Sequence, residues 1–230
     1  MPSRFRERQR MTILAFDCAV SGLSVAVVRD DVCLAHYREE GRGQAATLLP
    51  AIATVLQQAG VDRRALSMIA VTVGPGSFTG VRVGLAAARG LALALSVPLA
   101  GLTTTAALLA AAEPDDRLAV AAIDTRLGDW FCAFSAGDGA PFLASTEALA
   151  RRLAGKPCRI VSPQAEALAP LIADAVAQPA LPDPRVLARL ASVDGAAGWR
   201  DRNRTEGLPR PLYLRGVNVT SPDGTRRTVE

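Results

Sequence analysis

The sequence predicts an α/β fold, and two groups of alternating strand and helix patterns lead to this prediction. The first group contains three short apolar stretches, then a helical pattern, a buried strand and a second helical pattern. Its predicted strands are residues 12–17, 21–29, 32–39 and 68–73, and its predicted helices are residues 45–59 and 81–95. This order predicts three antiparallel strands that continue into a sheet covered by helices.

A second group of elements starts near residue 106 and predicts a second, smaller lobe. Its predicted strands are residues 118–124, 130–136 and 158–162, its predicted helices are residues 146–154 and 182–191, and residues 194–210 are predicted as a loop. The order β-β-β-α-β-α is typical of ribonuclease-H-like and actin-like ATPase folds. We therefore predict a two-lobed fold of this superfold, with an N-terminal extension (1–10), a first lobe (11–105), a second lobe (106–215) and a flexible tail (216–230).

The composition is that of a globular protein with a mildly basic balance. Half of the residues are apolar, 21% are charged, and the formal net charge is +4. Arginines crowd both ends of the chain, either as solvated tails or as an arm that faces nucleic acid. Residues 1–10 lack the apolar core of a secretory signal, and they are either an extension or precede a true start at Met11. The four cysteines form no CxxC pair, so we expect reduced thiols in the cytoplasm.

One uncharged segment, residues 90–112, is long enough to span a bilayer. Pro98, Gly101 and Thr103 divide this segment into a helix end, a short strand over residues 99–102 and the start of a new helix. We therefore expect no membrane span.

The most informative string is GPGSFTGVRVG, which lies between a predicted strand and a predicted helix. Such a loop can present backbone N–H groups to an anion, or it can serve as backbone scaffolding. Catalysis by Ser77 or Thr79 would need a neighbouring base, and none is identifiable. We predict a scaffold, with a nucleotide cradle as the alternative, and the loop residues are Gly74, Pro75, Gly76, Ser77, Phe78, Thr79, Gly80 and Arg82.

With this loop and three further landmarks, the chain resembles the TsaB (YeaZ) family, which takes part in making threonylcarbamoyladenosine on tRNA. The landmarks are residues 13–17 (ILAFD), Leu48-Leu49-Pro50, residues 121–128 (AAIDTRLG) and residues 211–215 (PLYLR). The resemblance implies a degenerate copy of the actin-like ATPase fold. It also implies a non-catalytic subunit that pairs with and activates TsaD, with TsaE and tRNA joining the complex and a homodimer when TsaD is absent.

The resemblance further suggests where chemistry would lie, and this chain departs from the family there. Asp17, Ser21, Asp124 and Arg126 are the candidates for a vestigial nucleotide site or cleft. The family often has threonines where this chain has Cys18 and Val20, and a valine cannot bind a phosphate oxygen. We therefore predict no certain cofactor and leave ATP or ADP as an alternative at the partner interface only.

Metal-dependent catalysis is not predicted either. The catalytic paralogues hold iron or zinc through an HxxxH motif, but His36 is the single histidine of this chain. Gln44 stands where the family usually has a histidine. We predict no catalytic residue and no metal site. The alternatives are a stand-alone M22-like peptidase or a degenerate ATP-dependent kinase.

The two helices around the glycine loop are apolar on most of their surface, which predicts burial on more than one side. They lie either under the second lobe or against a partner chain. We predict a partner interface made by Leu48, Leu49, Ile52, Val55, Leu85, Ala88, Leu91 and Ala92.

Overall fold

The computed structural model describes residues 10–41 and 43–215, and the backbone of residues 217–220 and 226–229. The predicted extension at residues 1–10 therefore lies, except for its last residue, outside the described residues.

The first lobe is a five-stranded sheet with the strand order β3-β2-β1-β4-β5. Strands β1, β2 and β3 are antiparallel, whereas β4 and β5 run parallel to β1. The bounds are β1 Thr12–Asp17, β2 Leu23–Arg29, β3 Val32–Glu39, β4 Met68–Thr72 and β5 Leu99–Leu102.

Two helices, α1 (Gln44–Gln58) and α2 (Phe78–Leu95), cover one face of this sheet. The core beneath them joins Leu14 and Phe16 of the sheet to Val55 and Leu85 of the helices. All four side chains are at most 2% exposed. Leu14 and Phe16 are two residues apart in β1, so their side chains lie on the same face of the sheet, which is the face that the two helices cover.

The opposite face of the first sheet is covered by a helix from the end of the chain, α6 (Pro184–Thr205). Leu187 and Trp199 of α6 pack with Ala15 and Met68 of the sheet. The predicted division, with residues 106–215 in the second lobe, therefore differs from the structure, because α6 returns to the first lobe.

Helix α6 also corrects the predicted loop at residues 194–210. Pro184 begins the helix, and Asp183 caps it by accepting a hydrogen bond from the backbone N–H of Arg185 at 2.8 Å. The helix breaks locally at Gly195, whose φ is 64°, and then continues. The glycines and arginines of this stretch suggest a loop, but burial of Trp199 stabilises a helix there.

The second lobe is also a five-stranded sheet, with the strand order β10-β9-β6-β7-β8. Its elements are α3 Thr104–Leu109, β6 Leu118–Asp124, β7 Asp129–Phe134, β8 Phe142–Ser145, α4 Thr146–Leu153, β9 Cys158–Ser162, α5 Ala165–Leu168 and β10 Ala175–Pro179. Helices α4 and α5 cover one face, and Leu108 of α3 packs on the other. The short elements β8, α5 and β10 are not predicted by the sequence patterns.

Two short strands lie within the predicted tail at residues 216–230. Val217–Thr220 (β11) and Arg226–Val229 (β12) pair in antiparallel register. Both segments contain the β-branched residues that favour strands. For these eight residues, paired strands replace the predicted flexible tail.

The uncharged segment at residues 90–112 contains the end of α2, then β5 and α3, as the sequence predicts. Helix α2 as a whole has a length and a mean hydropathy of 1.4 that would suit a membrane span. Its Leu85 and Ala88 are buried against the sheet, so in this fold α2 is a layer of the first lobe.

A buried carboxylate, Asp17, ends strand β1 with 2% exposure. Asp17 accepts hydrogen bonds from the Thr72 hydroxyl at 2.6 Å and from the Ala19 N–H at 3.1 Å. Burial nevertheless dominates, because removing a carboxylate from water disfavours its charge, and it raises the pKa of Asp17 from 3.8 to about 6.

The raised pKa of Asp17 predicts that the free energy of unfolding falls as the pH rises. Between pH 3.8 and about 6 the folded state holds a proton that the unfolded chain has lost. Replacing Asp17 by Asn removes the free-energy cost of burying an ionised carboxylate. We expect the free energy of unfolding of Asp17→Asn, relative to the natural chain, to increase by about 2 kcal/mol from pH 4 to pH 7. Denaturant unfolding at both pH values measures it. The exposed Asp124→Asn is the control, and a difference that is constant with pH would contradict the prediction.

Candidate functional site

The glycine loop lies directly against the turn between β1 and β2, at backbone distance. A Cβ atom on Gly80 would stand 1.8 Å from the carbonyl oxygen of Cys18, and one on Gly76 would stand 2.4 Å from that of Ala19. No side chain fits in either space. These two glycines therefore permit a close approach between chain segments rather than an approach to a ligand.

The polar backbone of the loop is also occupied by the chain itself. The Ser77 N–H donates to the Ala19 carbonyl at 2.8 Å, and the Gly74 carbonyl accepts from the Thr104 N–H at 2.8 Å. The Ser77 hydroxyl caps α2 by accepting from the Gly80 N–H at 3.2 Å. The loop thus binds the β1–β2 turn on one side and the start of α3 on the other, which is the arrangement expected of a scaffold.

A third segment, which we call the C-terminal strap (residues 209–215), crosses the loop. The Leu212 N–H donates to the Val73 carbonyl at 2.8 Å, and Arg89 donates twice to the Pro209 carbonyl, at 3.1 and 2.5 Å. The strap then reaches the second lobe, where Arg215 forms an ion pair with Asp129. The strap therefore ties α2 of the first lobe to the β6–β7 hairpin of the second.

Asp129 and Arg215 are functional candidates that sequence reasoning missed. Asp129 also accepts a hydrogen bond from the Thr125 hydroxyl, so one carboxylate organises both the hairpin turn and the end of the strap. The string PLYLR contains Arg215, but its ion-pair partner is 86 residues away and no local pattern connects the two.

The four candidates for a vestigial nucleotide site or cleft are not brought together as one site. Asp17 is buried under its own hydrogen bonds, and Asp124 accepts from the Arg126 N–H at 2.7 Å in an exposed local turn. Arg126 has a φ of 62°, which suits this turn. Val20, where the family often has a threonine hydroxyl, packs on apolar side chains of the second lobe.

Ser21 alone of these candidates lines an open cleft of about 670 Å³. The polar side chains of this cleft are of mixed charge, and they are Ser21, Arg38, Glu40, Gln164 and Asp183. Arg38 donates to the Pro182 carbonyl at 3.2 Å, and Asp183 pairs with Arg185. None of the glycine-loop residues lines this cleft, so the cleft is separate from the loop.

Histidine and cysteine side chains are scattered rather than clustered. His36 is an exposed residue of β3, and partial burial together with the charge of Arg185 lowers its pKa. Gln44 donates weakly to the carbonyls of Gly22 and Gly41, at 3.4 and 3.3 Å. Among the described residues, no three His, Cys, Asp or Glu side chains are placed to share a metal ion.

The predicted partner interface is wrong for most of its residues. Six of the eight are buried in the core of this chain, with at most 4% exposure: Leu48, Ile52, Val55, Leu85, Ala88 and Ala92. Leu91 is partly buried against the same core, whereas Leu49 is 56% exposed. The stripe of large residues marks the face that packs on the sheet, so it cannot also face a partner.

The solvent side of the same two helices is made of smaller residues. Ala53 of α1 and Ala86 and Gly90 of α2 are exposed there, together with Leu49 and Leu93. Leu93 is 81% exposed. We call this exposed face the α1–α2 outer face.

The close approach at Gly80 predicts opposite effects for two glycines of one helix. Gly80→Ala would force Cys18 and the loop apart and should lower the free energy of unfolding by about 1–3 kcal/mol. Gly90→Ala has open space around its Cβ and should raise it by up to about 1 kcal/mol through helix propensity. Denaturant unfolding of both variants makes the comparison, and equal effects would contradict the assigned contact.

The chain is similar in sequence to proteins of a known family. The family model described as TsaD, tRNA N6-adenosine threonylcarbamoyltransferase, matches residues 38–179, which is more than half of the chain. The tRNA threonylcarbamoyladenosine biosynthesis protein TsaB of Escherichia coli is 35% identical over 125 residues, 54% of each chain. The chain thus spans about half the length of the curated relatives it matches.

Solved structures extend the likeness over nearly the whole chain. A Pseudomonas aeruginosa protein described as similar to the peptidase YeaZ is 28% identical, with a TM-score of 0.71 over 89% of this chain and 100% of that one. The activator of the 2-hydroxyisocaproyl-CoA dehydratase of Clostridium difficile is 10% identical, with a TM-score of 0.50 over 88% of this chain and 100% of that one, which shows the fold alone. The predicted two-lobed fold of the actin-like ATPase class is confirmed. The chain belongs to the family of the tRNA N6-adenosine threonylcarbamoyltransferase model, and within that family it is similar to the TsaB and YeaZ proteins.

Proposed function

We propose that this chain is a non-catalytic subunit of the complex that forms threonylcarbamoyladenosine in tRNA, and that it pairs with and activates TsaD. The observation that carries the proposal is its similarity to TsaB proteins, together with the family model that it shares with the transferase. The single histidine supports the non-catalytic role, because the HxxxH motif of the catalytic paralogues needs two. TsaE and tRNA would join the pair in the cytoplasm, and ATP or ADP would bind, if at all, where the subunits meet.

The α1–α2 outer face is the surface that we assign to TsaD. Alanine and glycine side chains let a facing helix approach closely, and Leu49 and Leu93 supply apolar area that water would otherwise cover. Because both helices cover the same side of the sheet, the face presents two helices to a partner built on the same fold. A second copy of this chain would use the same face when TsaD is absent.

This assignment predicts that Leu93→Glu weakens pairing with TsaD by at least about tenfold without unfolding the chain, because Leu93 is exposed and would be buried in the complex. Isothermal titration with purified TsaD measures the affinity, and circular dichroism checks the fold. The matched control is Leu171→Glu, a 61% exposed leucine outside α1 and α2, which should pair normally.

A second control separates the outer face from the core. Leu85→Glu places a charge at a position that is 2% exposed, so it should unfold the chain rather than act on pairing alone. Normal affinity of Leu93→Glu for TsaD would move the interface elsewhere.

Reconstitution tests the proposed function as a whole. We expect tRNA modification by TsaD, TsaE and the adenylate-forming enzyme to require this chain, and the chain alone to modify no tRNA and to hydrolyse neither peptide nor ATP. Mass spectrometry of digested tRNA detects the modified adenosine. Full modification without this chain would overturn the proposal, and turnover of peptide or ATP by the pure chain would favour the peptidase or kinase alternative.

A further inference from the structure

Two side chains one turn apart on α2 and a third from the C-terminal strap form an exposed stack at the start of α2. The guanidinium of Arg82 lies 3.5 Å from the centroid of the Phe78 ring, and its Nε donates to the Tyr213 hydroxyl at 2.8 Å. The Phe78 and Tyr213 rings are 5.6 Å apart and are 42% and 41% exposed. We call Phe78, Arg82 and Tyr213 the stacking cluster.

Two backbone segments that are hydrogen-bonded within the fold position the stacking cluster. Phe78 is the first residue of α2, which the glycine loop anchors, and Tyr213 belongs to the C-terminal strap, whose Leu212 is hydrogen-bonded to Val73. The rings and the guanidinium are therefore presented on two fixed backbones. A preorganised aromatic surface loses little entropy when a flat molecule stacks on it.

The strap carries two arginines and no acidic residue, whereas the hairpin that it reaches carries the exposed Asp124 beside Arg126. The strap brings Arg210 to the surface and holds Arg89, and it ends at the hairpin that carries the exposed Arg126. The nearby carboxylate of Asp129 is neutralised by its ion pair with Arg215. The positive end of the α2 helix dipole also lies at Phe78, the first residue of that helix.

We propose that the stacking cluster binds an unpaired base of a single-stranded RNA segment, with the arginines along the strap facing its phosphates. Aromatic rings and arginine planes in a basic groove are the means by which proteins hold unpaired bases. Arg82 lies one helical turn before Ala86, so the cluster borders the surface assigned to TsaD. Arg82 already covers part of the Phe78 ring, and the ring area that stays exposed is what a base would cover. The inference rests on the proposed function, because it assigns to this chain a direct contact with the tRNA of the complex.

The test uses the full chain, alone and paired with TsaD, and a fluorescein-labelled RNA hairpin with an unpaired loop. A blunt RNA duplex of equal length serves as the second probe. Fluorescence anisotropy should show tighter binding of the hairpin than of the duplex. Phe78→Leu, Tyr213→Leu and Arg82→Gln should each raise the Kd for the hairpin about fivefold or more.

One conservative variant, one matched control and one variant that removes a phosphate contact keep the test specific. Tyr213→Phe keeps the ring and should bind the hairpin nearly as the natural chain does, although it loses the hydrogen bond from Arg82. Arg152→Gln removes an arginine that lies 4.5 Å over the Phe142 ring on the second lobe, and it should leave the Kd unchanged. Arg210→Gln should lower the salt dependence of hairpin binding by about one phosphate contact.

The affinity of each variant for TsaD and TsaE is measured in parallel. Unchanged hairpin binding by the three stacking variants would overturn the proposal, and a simultaneous loss of TsaD or TsaE binding would assign the cluster to a protein partner. Hairpin binding that depends on the cluster would support the RNA site even if reconstitution showed the chain to be dispensable. The RNA site and the proposed function can therefore fail separately.

Discussion

The contact between the glycine loop and the β1–β2 turn is the constraint on which the rest of the first lobe depends. Gly80 lies so close to the Cys18 carbonyl that only a hydrogen atom, and no side chain, fits on its Cα atom. The Ser77 N–H also donates a hydrogen bond to the carbonyl of the adjacent Ala19. This contact sets where α2 begins. Because α2 is rigid, it also sets where Phe78, Arg82 and the exposed Leu93 stand at the surface.

Two segments from the end of the chain complete the first lobe. The strap lies over the glycine loop, and α6 covers the face of the sheet that α1 and α2 leave open. Asn203 near the end of α6 bonds both the N–H and the carbonyl of Leu99, at 2.8 and 2.9 Å, so the edge strand β5 is closed by a side chain instead of another strand. The two lobes are consequently interleaved in sequence although each has its own sheet.

The sequence predicts much of the fold and the scaffold role of the glycine loop, because both depend on local patterns. Period-two and period-3.6 apolar patterns place the long strands and helices, and GPGSFTG identifies a strand-to-helix junction. The predicted partner interface is wrong for a physical reason. Periodicity shows that Leu85 and Ala88 share a face, but it does not say whether that face meets the sheet or another chain. The stripe of large side chains is the one that a sheet buries.

Other misses depend on contacts between distant residues. The ion pair of Asp129 with Arg215 has no local signature, and Asp124 attracts attention only because the family resemblance points to that hairpin. The second half of α6 has a helix-poor composition, yet packing of Trp199 and the bonds of Asn203 stabilise a helix there. Tertiary contacts outweigh weak local propensity in these places.

The return of α6 has a consequence for how the chain matures during synthesis. Until residues 184–205 leave the ribosome, one side of the first sheet, including Ile13, Ala15 and Met68, has no cover. The N-terminal half therefore emerges with one apolar face of its sheet exposed, although its strands and first two helices are already translated. Sequence separations of this size slow folding and leave apolar surface for other chains or chaperones to meet.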